Sequence, residues 1–171
     1  MPGYKGHITG AIACNAAYVG AVTATPSSLL NSTHNMVSDL QLLIGLFVIA
    51  VLFGLFPDID TNSKGQNIFY GVALAADIML ILDGRMEAAA FLGLLAMLPV
   101  VGKHRGWTHS KPAMLLIPAP IVVIPYFYNP AILDTALLIY GAAVTGYFSH
   151  LLFDGMIWKK FRIKGRSYAN S

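Results

Sequence analysis

Apolar residues fall along the chain in six blocks, at positions 8–24, 40–56, 66–82, 88–101, 112–128 and 135–153, separated by short polar stretches. At about 1.5 Å per helical residue, most of these blocks are just long enough for the roughly 30 Å of a bilayer's hydrocarbon core. The expected fold is therefore all-α: a polytopic transmembrane helical bundle of about six membrane segments, forming one membrane-embedded domain over residues 1–171 with a short basic tail at 155–171. The block at 88–101 is short for a span and reads as a re-entrant or partly immersed helix, joined to its predecessor through the Asp83-Gly84-Arg85 turn. Pro118, Pro120 and Pro125 should kink or locally unwind the fifth block, which neighbouring helices tolerate inside a bundle. The first block follows Lys5 and ends near Ala-Val-Thr-Ala, as a cleaved secretory signal does. Its small residues Gly10, Ala13, Ala17, Gly20, Ala21 and Ala24, several at intervals of three or four, read instead as a helix packed closely on its neighbours.

Composition strengthens the membrane reading. Of 171 residues, 56% are hydrophobic and 11% charged, against roughly a quarter charged in soluble domains, and the mean hydropathy is +0.64. The single cysteine, Cys14, excludes an intrachain disulfide and a Cys-rich zinc site, so metal chemistry has to rest on His and carboxylate ligands. A formal charge of +3 and a pI near 9.0 do not point to nucleic acid, because the basic residues crowd into short loops and one tail. With six spans, Lys5, Lys64, Lys103, Arg105, Lys111, Lys159, Lys160, Arg162, Lys164 and Arg166 share one side, and Arg85 alone lies opposite. The side rich in Lys and Arg is expected to be cytoplasmic, with both termini there. The tail sequence KKFRIKGR reads as a contact to anionic lipid.

This topology gathers the unusual polar residues at the cytoplasmic ends of the spans. His7 opens the first helix, Asp58 and Asp60 (LFPDID) close the second, and His150 and Asp154 (SHLLFD) close the sixth. His104, Arg105, Thr108, His109 and Ser110 (HRGWTHS) lie between the fourth and fifth. His150 and Asp154, four apart, project from one helix face and can share a metal or a substrate. Pro57 should end the second helix, so that Asp58 and Asp60 form an extended pair with carboxylates pointing the same way. Gly106 permits a tight loop that turns His104 and His109 toward one point. Four His and three Asp exceed one tetrahedral zinc, which leaves two metals, or one metal with orienting partners, as alternatives. Taken singly, each group has an ordinary reading as a helix cap, a turn or a basic anchor, and their convergence is what makes the metal reading. His34 falls in the opposite loop, and Asp77, about 16 Å into the third helix, needs a partner, a proton or a water-filled path. Trp107 and Trp158 fit the headgroup level.

The combination of GH near the N-terminus, LFPDID, HRGWTHS and GYFSHLLFD resembles the YdjM-like family of predicted membrane-bound metal-dependent hydrolases, bacterial inner-membrane proteins. The family pattern falls on His7, Asp58, Asp60, His104, Arg105, Thr108, His109, Ser110, His150 and Asp154. Relatives often carry a His directly after the PDxD motif, where this chain has Thr61, and a Pro/Gly-containing stretch after the final Asp, where it has Gly155 and a basic tail. Both departures imply a reduced ligand set and a smaller wall around the site.

The resulting expectation is a metal-dependent hydrolase facing the cytoplasm from a bacterial inner membrane. Its metal is a divalent ion, zinc first and manganese second, one or two in number. The expected ligands are His7, Asp58, Asp60, His109, His150 and Asp154. Arg105, His104, Thr108 and Ser110 are the expected catalytic side chains, with Arg105 as a bidentate clamp for an anion. The partners are membrane lipids and a lipid or lipid-linked phosphoester, with no nucleic acid. The alternative is a non-catalytic membrane protein, a transporter or a metal-stabilised scaffold. A membrane peptidase is disfavoured because no His-Glu-x-x-His motif occurs, and the only Glu, Glu87, lies on the opposite side.

Overall fold

The six apolar blocks all fold as helix in the computed structural model, which describes residues 3–25, 39–59, 64–101 and 108–155. In chain order these are α1 (Tyr4–Ala24), α2 (Leu40–Leu55), α3 (Lys64–Leu82), α4 (Met86–Val101), α5 (Lys111–Leu116), α6 (Pro120–Tyr128) and α7 (Leu133–Phe153). No strand occurs among the described residues. The fifth block is the one that breaks. Its prolines leave a turn at 117–119 between α5 and α6, while Pro125 is carried inside α6. Among the described residues four stretches are long and apolar enough to cross a membrane: Leu40–Asp58, Lys64–Leu82, Lys111–Tyr128 and Pro130–Phe153. The apolar helix α4, with 16 residues, is shorter than these four. At 21 residues α1 has the length of a span, yet Lys5, His7, Thr9 and Asn15 make it more polar than the other four.

Local chemistry sets the ends of these elements. Asp39 accepts a hydrogen bond from the Gln41 N–H at 2.9 Å and so caps α2. Between α3 and α4, Gly84 takes φ 75°, and the Arg85 N–H donates to the Leu80 carbonyl at 2.8 Å. This left-handed closure is one that glycine makes without steric cost.

The centre of the bundle is the trio α1, α2 and α7, with the α3–α4 hairpin and α5–α6 packed around it. Small residues let the trio close. A Cβ on Gly146 would lie 2.0 Å from the Ala50 carbonyl oxygen, and one on Gly54 would lie 2.8 Å from the Ala11 Cβ. Helices in lipid gain most of their association from such close packing, because hydrocarbon offers no hydrophobic drive to bring them together. The α1 stripe read from the sequence is only partly the packed face. Gly10 is buried against the Phe153 ring, whereas Ala13, Ala17, Gly20, Ala21 and Ala24 are exposed, and the inward face is His7, Gly10, Ala11 and Asn15. Among the described residues neither polar atom of the Asn15 amide has a hydrogen-bond partner, and the same holds for Asp77 Oδ1.

One end of the trio is tied to the outer helices by an aromatic cluster. Phe56 lies 6.0 Å from both Phe53 and Phe69 and 6.1 Å from Tyr147, ring centre to ring centre. Around it Leu55, Ile59, Leu92, Ala113 and Leu151 complete the core. The large apolar side chains left exposed, such as Leu74, Ile78 and Met79 on α3, Leu94 on α4 and Phe127 on α6, form the face offered to lipid. Phe56, Tyr147 and Leu151 alternate in sequence with the polar residues considered next, so the rigid aromatic core is also their foundation.

Candidate metal centre

His150 occupies the last turn of α7, at 0% exposure. Its Nδ1 lies 2.8 Å from the Gly54 carbonyl oxygen of α2, a contact that places the ring proton on Nδ1 and presents Nε2 as a lone-pair donor. Nε2 is buried without a hydrogen-bond partner among the described residues. It faces Asp154 Oδ2 at 3.3 Å, from one turn further on, and Asp58 Oδ1 at 3.6 Å.

Asp58 reaches this point because the chain keeps winding after α2 ends at Leu55. The chain continues through a 3₁₀ turn, Phe56–Asp58, whose first turn accommodates proline, and Ile59 remains right-handed helical at φ −70°, ψ −22°. The extended course expected after Pro57 is corrected at Asp58 and Ile59, where the backbone winds instead. Asp60 lies outside the described residues, as do His104 and Arg105.

His109 arrives from the turn before α5. Its Nε2 lies 3.4 Å from Asp58 Oδ1 and 3.9 Å from Asp154 Oδ2. Its Nδ1 sits 3.3 Å from Thr108 Oγ1, and that hydroxyl donates to the Pro57 carbonyl at 3.5 Å. Thr108 thus orients an imidazole and fastens its turn to the end of α2. Ser110 Oγ accepts from the Ala113 N–H at 3.2 Å and caps α5. His7, from the first turns of α1, stacks on His150 with ring centres 4.0 Å apart and planes at 19°. Its Nε2 lies 3.7 Å from Asp58 Oδ2 and 3.8 Å from Asp154 Oδ1.

One ligand atom from each of Asp58, His109, His150 and Asp154 falls within 4.8 Å of the other three. Two donors bound about 2.1 Å from one tetrahedral ion stand about 3.4 Å apart, close to the 3.3–3.9 Å found between these imidazole and carboxylate atoms. Burial supports the same use. The Asp154 side chain is 4% exposed, its Oδ1 has no hydrogen-bond partner among the described residues, and a second carboxylate stands beside it. Two such groups are costly together unless a cation or a proton compensates them. A divalent ion fits the donor set of two imidazole nitrogens and two carboxylate oxygens.

The sequence matches the YdjM inner membrane protein family over residues 1–162. The chain belongs to that family. No curated protein and no solved structure matches it. For this YdjM-family protein, an inner-membrane setting agrees with the four apolar stretches and with where the site lies along them. One stretch ends on Asp58, one ends a residue before Asp154, and one begins two residues after His109.

The YdjM-family site also uses two residues that sequence reasoning passed over. Gly54 contributes its carbonyl to His150, and Tyr147 donates its hydroxyl proton to the Thr108 carbonyl, pinning the turn that carries His109. Tyr147 precedes His150 by three residues and Asp154 by seven, which is one helix face, so spacing alone placed it beside the ligands. Tyr147→Phe keeps the ring in the aromatic core and removes only this anchor. We expect metal affinity about 10- to 100-fold weaker, as for other partners that orient ligands, with stability lower by about 1–3 kcal/mol for the unpaired carbonyl. Metal titration and thermal unfolding in detergent measure the two effects, and unchanged metal affinity would reduce Tyr147 to a packing residue.

Proposed function

We propose that the protein is a membrane-bound metal-dependent hydrolase that works at the cytoplasmic headgroup interface on a lipid or lipid-linked phosphoester. The observation that carries this reading is the convergence of Asp58, His109, His150 and Asp154, with His150 Nε2 and Asp154 Oδ1 buried and lacking hydrogen-bond partners among the described residues. Zinc, or manganese in its place, suits such a set of imidazole and carboxylate donors. Bound there, the ion would supply Lewis-acid polarisation of the scissile group and lower the pKa of water toward neutrality.

The chain's own residues supply the rest. Gly54 and Thr108 hold two imidazoles with their Nε2 atoms turned inward. Asp58, at 33% side-chain exposure against 4% for Asp154, marks the side from which a substrate enters. Arg105 is assigned the clamp for the substrate's anionic oxygens. In the reaction, water oxygen bonds to phosphorus as the water gives up a proton, the ester P–O bond breaks, and the departing alkoxide takes up a proton in exchange. A lipid-type substrate is supported by the site's position at the ends of three apolar stretches, and a cytoplasmic face by the grouping of Lys and Arg.

A metal-stapled scaffold is the second reading, and one observation favours it: the ligand-bearing ends come from helices that already touch backbone to backbone at Ala50 and Gly146. A screen of lipid phosphoesters with purified, metal-loaded protein separates the two. Turnover that stops on chelation and returns with Zn2+ or Mn2+ is the expected result. If no phosphoester is cleaved while chelation lowers thermal stability, the scaffold replaces the hydrolase.

A further inference from the structure

The geometry points to two adjacent cation subsites bridged by Asp58 and Asp154, the second completed by His7. This inference rests on the metal reading above and concerns how many ions the site takes.

The two oxygens of each carboxylate face different imidazoles. Asp58 Oδ1 faces His109 and His150, at 3.4 and 3.6 Å, while its Oδ2 faces His7 at 3.7 Å. Asp154 repeats the division, with Oδ2 toward His150 and His109, at 3.3 and 3.9 Å, and Oδ1 toward His7 at 3.8 Å. A single ion among Asp58 Oδ1, Asp154 Oδ2, His109 and His150 would leave Asp58 Oδ2, Asp154 Oδ1 and His7 Nε2 facing one another beside it.

A hydrogen-bonded role for His7 does not fit these distances. Hydrogen bonds from N–H to oxygen run about 2.7–3.2 Å, so His7 Nε2 stands too far from both oxygens to donate to either. The gaps are near the spacing of donors that share an ion. Asp154 Oδ1, on the His7 side, is buried with no hydrogen-bond partner among the described residues, a deficit that a second cation would remove.

The stacked rings set the separation. His7 and His150 lie nearly parallel with centres 4.0 Å apart, and each delivers Nε2 to a different oxygen of the same two carboxylates. Paired metal ions in hydrolytic sites stand about 3.5–4 Å apart, so one ion per ring matches the stacking distance. The subsites are unequal. Among the described residues the first has four protein donors and the second three.

Manganese titration of the full-length, metal-stripped protein in detergent tests the inference, with bound Mn2+ counted by elemental analysis and followed by electron paramagnetic resonance. Wild type should bind two Mn2+ per chain in two steps, and the hyperfine lines of the isolated ion should collapse into the spectrum of a coupled pair during the second. His7→Gln should bind one ion with an uncoupled spectrum and first-step affinity within a few-fold of wild type. Should that variant fail to fold, the wild-type count and coupling decide alone. Saturation of wild type at one uncoupled ion overturns the second subsite and leaves the metal reading standing. Two ions in both proteins overturn the role of His7. Failure of wild type to bind Mn2+ or Zn2+ overturns the metal reading and the paired site together.

Discussion

Alanine in place of His150 is expected to weaken metal binding by more than about 100-fold, beyond the 10- to 100-fold that follows loss of a ligand's orienting partner. His150 is the most deeply buried donor of the site. Its removal takes away one nitrogen, leaves the Gly54 carbonyl without its imidazole partner, and opens a void against the His7 ring. Competition titration with a zinc chelator reads the first effect and thermal unfolding the second. Acidification should imitate the variant, since a proton on an imidazole displaces a metal from it. Retention of wild-type zinc affinity by the folded variant would remove His150 from the ligand set.

Arg105→Lys should keep metal and fold yet lose most of the phosphoester turnover. A lysine supplies the charge at one point, whereas the guanidinium fork engages two oxygens at once. If Arg105 meets charge that develops in the transition state, the loss reaches about 3–4 kcal/mol, as for other preorganised donors. The measurement is kcat and KM with the best substrate of the lipid phosphoester screen, alongside metal content. A change confined to thermal stability would argue for the scaffold, because a substrate clamp contributes nothing to a metal that only joins helices.

The bundle was legible because apolar run length and the bilayer's thickness are matched quantities, and the ligand types were legible because His and Asp are expensive at the ends of membrane spans. His7, Asp58, His109, His150 and Asp154, drawn from four places in the chain, do come together. What holds them was not legible. The Gly54 carbonyl is a backbone atom 96 positions from the ring it orients, and no side-chain pattern marks it. Spacing puts Tyr147 on the helix face of His150 and Asp154, but no motif marks its bond to Thr108, 39 residues away. Thr108 and Ser110 sit two apart in one motif, yet one hydroxyl orients an imidazole and the other caps a helix. The winding of the chain at Asp58 reversed an expectation that rested on proline alone: Pro57 sits at the start of a turn, where it lacks nothing, so the helical path continues past it.

The origin of the donors has a thermodynamic consequence. His7, Asp58, His109 and the pair His150 and Asp154 come from different ends of the chain's helices, and the unfolded chain does not hold them together. An ion that binds only the assembled form adds to its stability by mass action, by about 2.7 kcal/mol when free metal stands at one hundred times Kd. The melting temperature of this bundle would then report the free metal concentration around it. Metal starvation would first loosen the end of the bundle where α1, α2 and α7 meet, before any apolar contact elsewhere is lost.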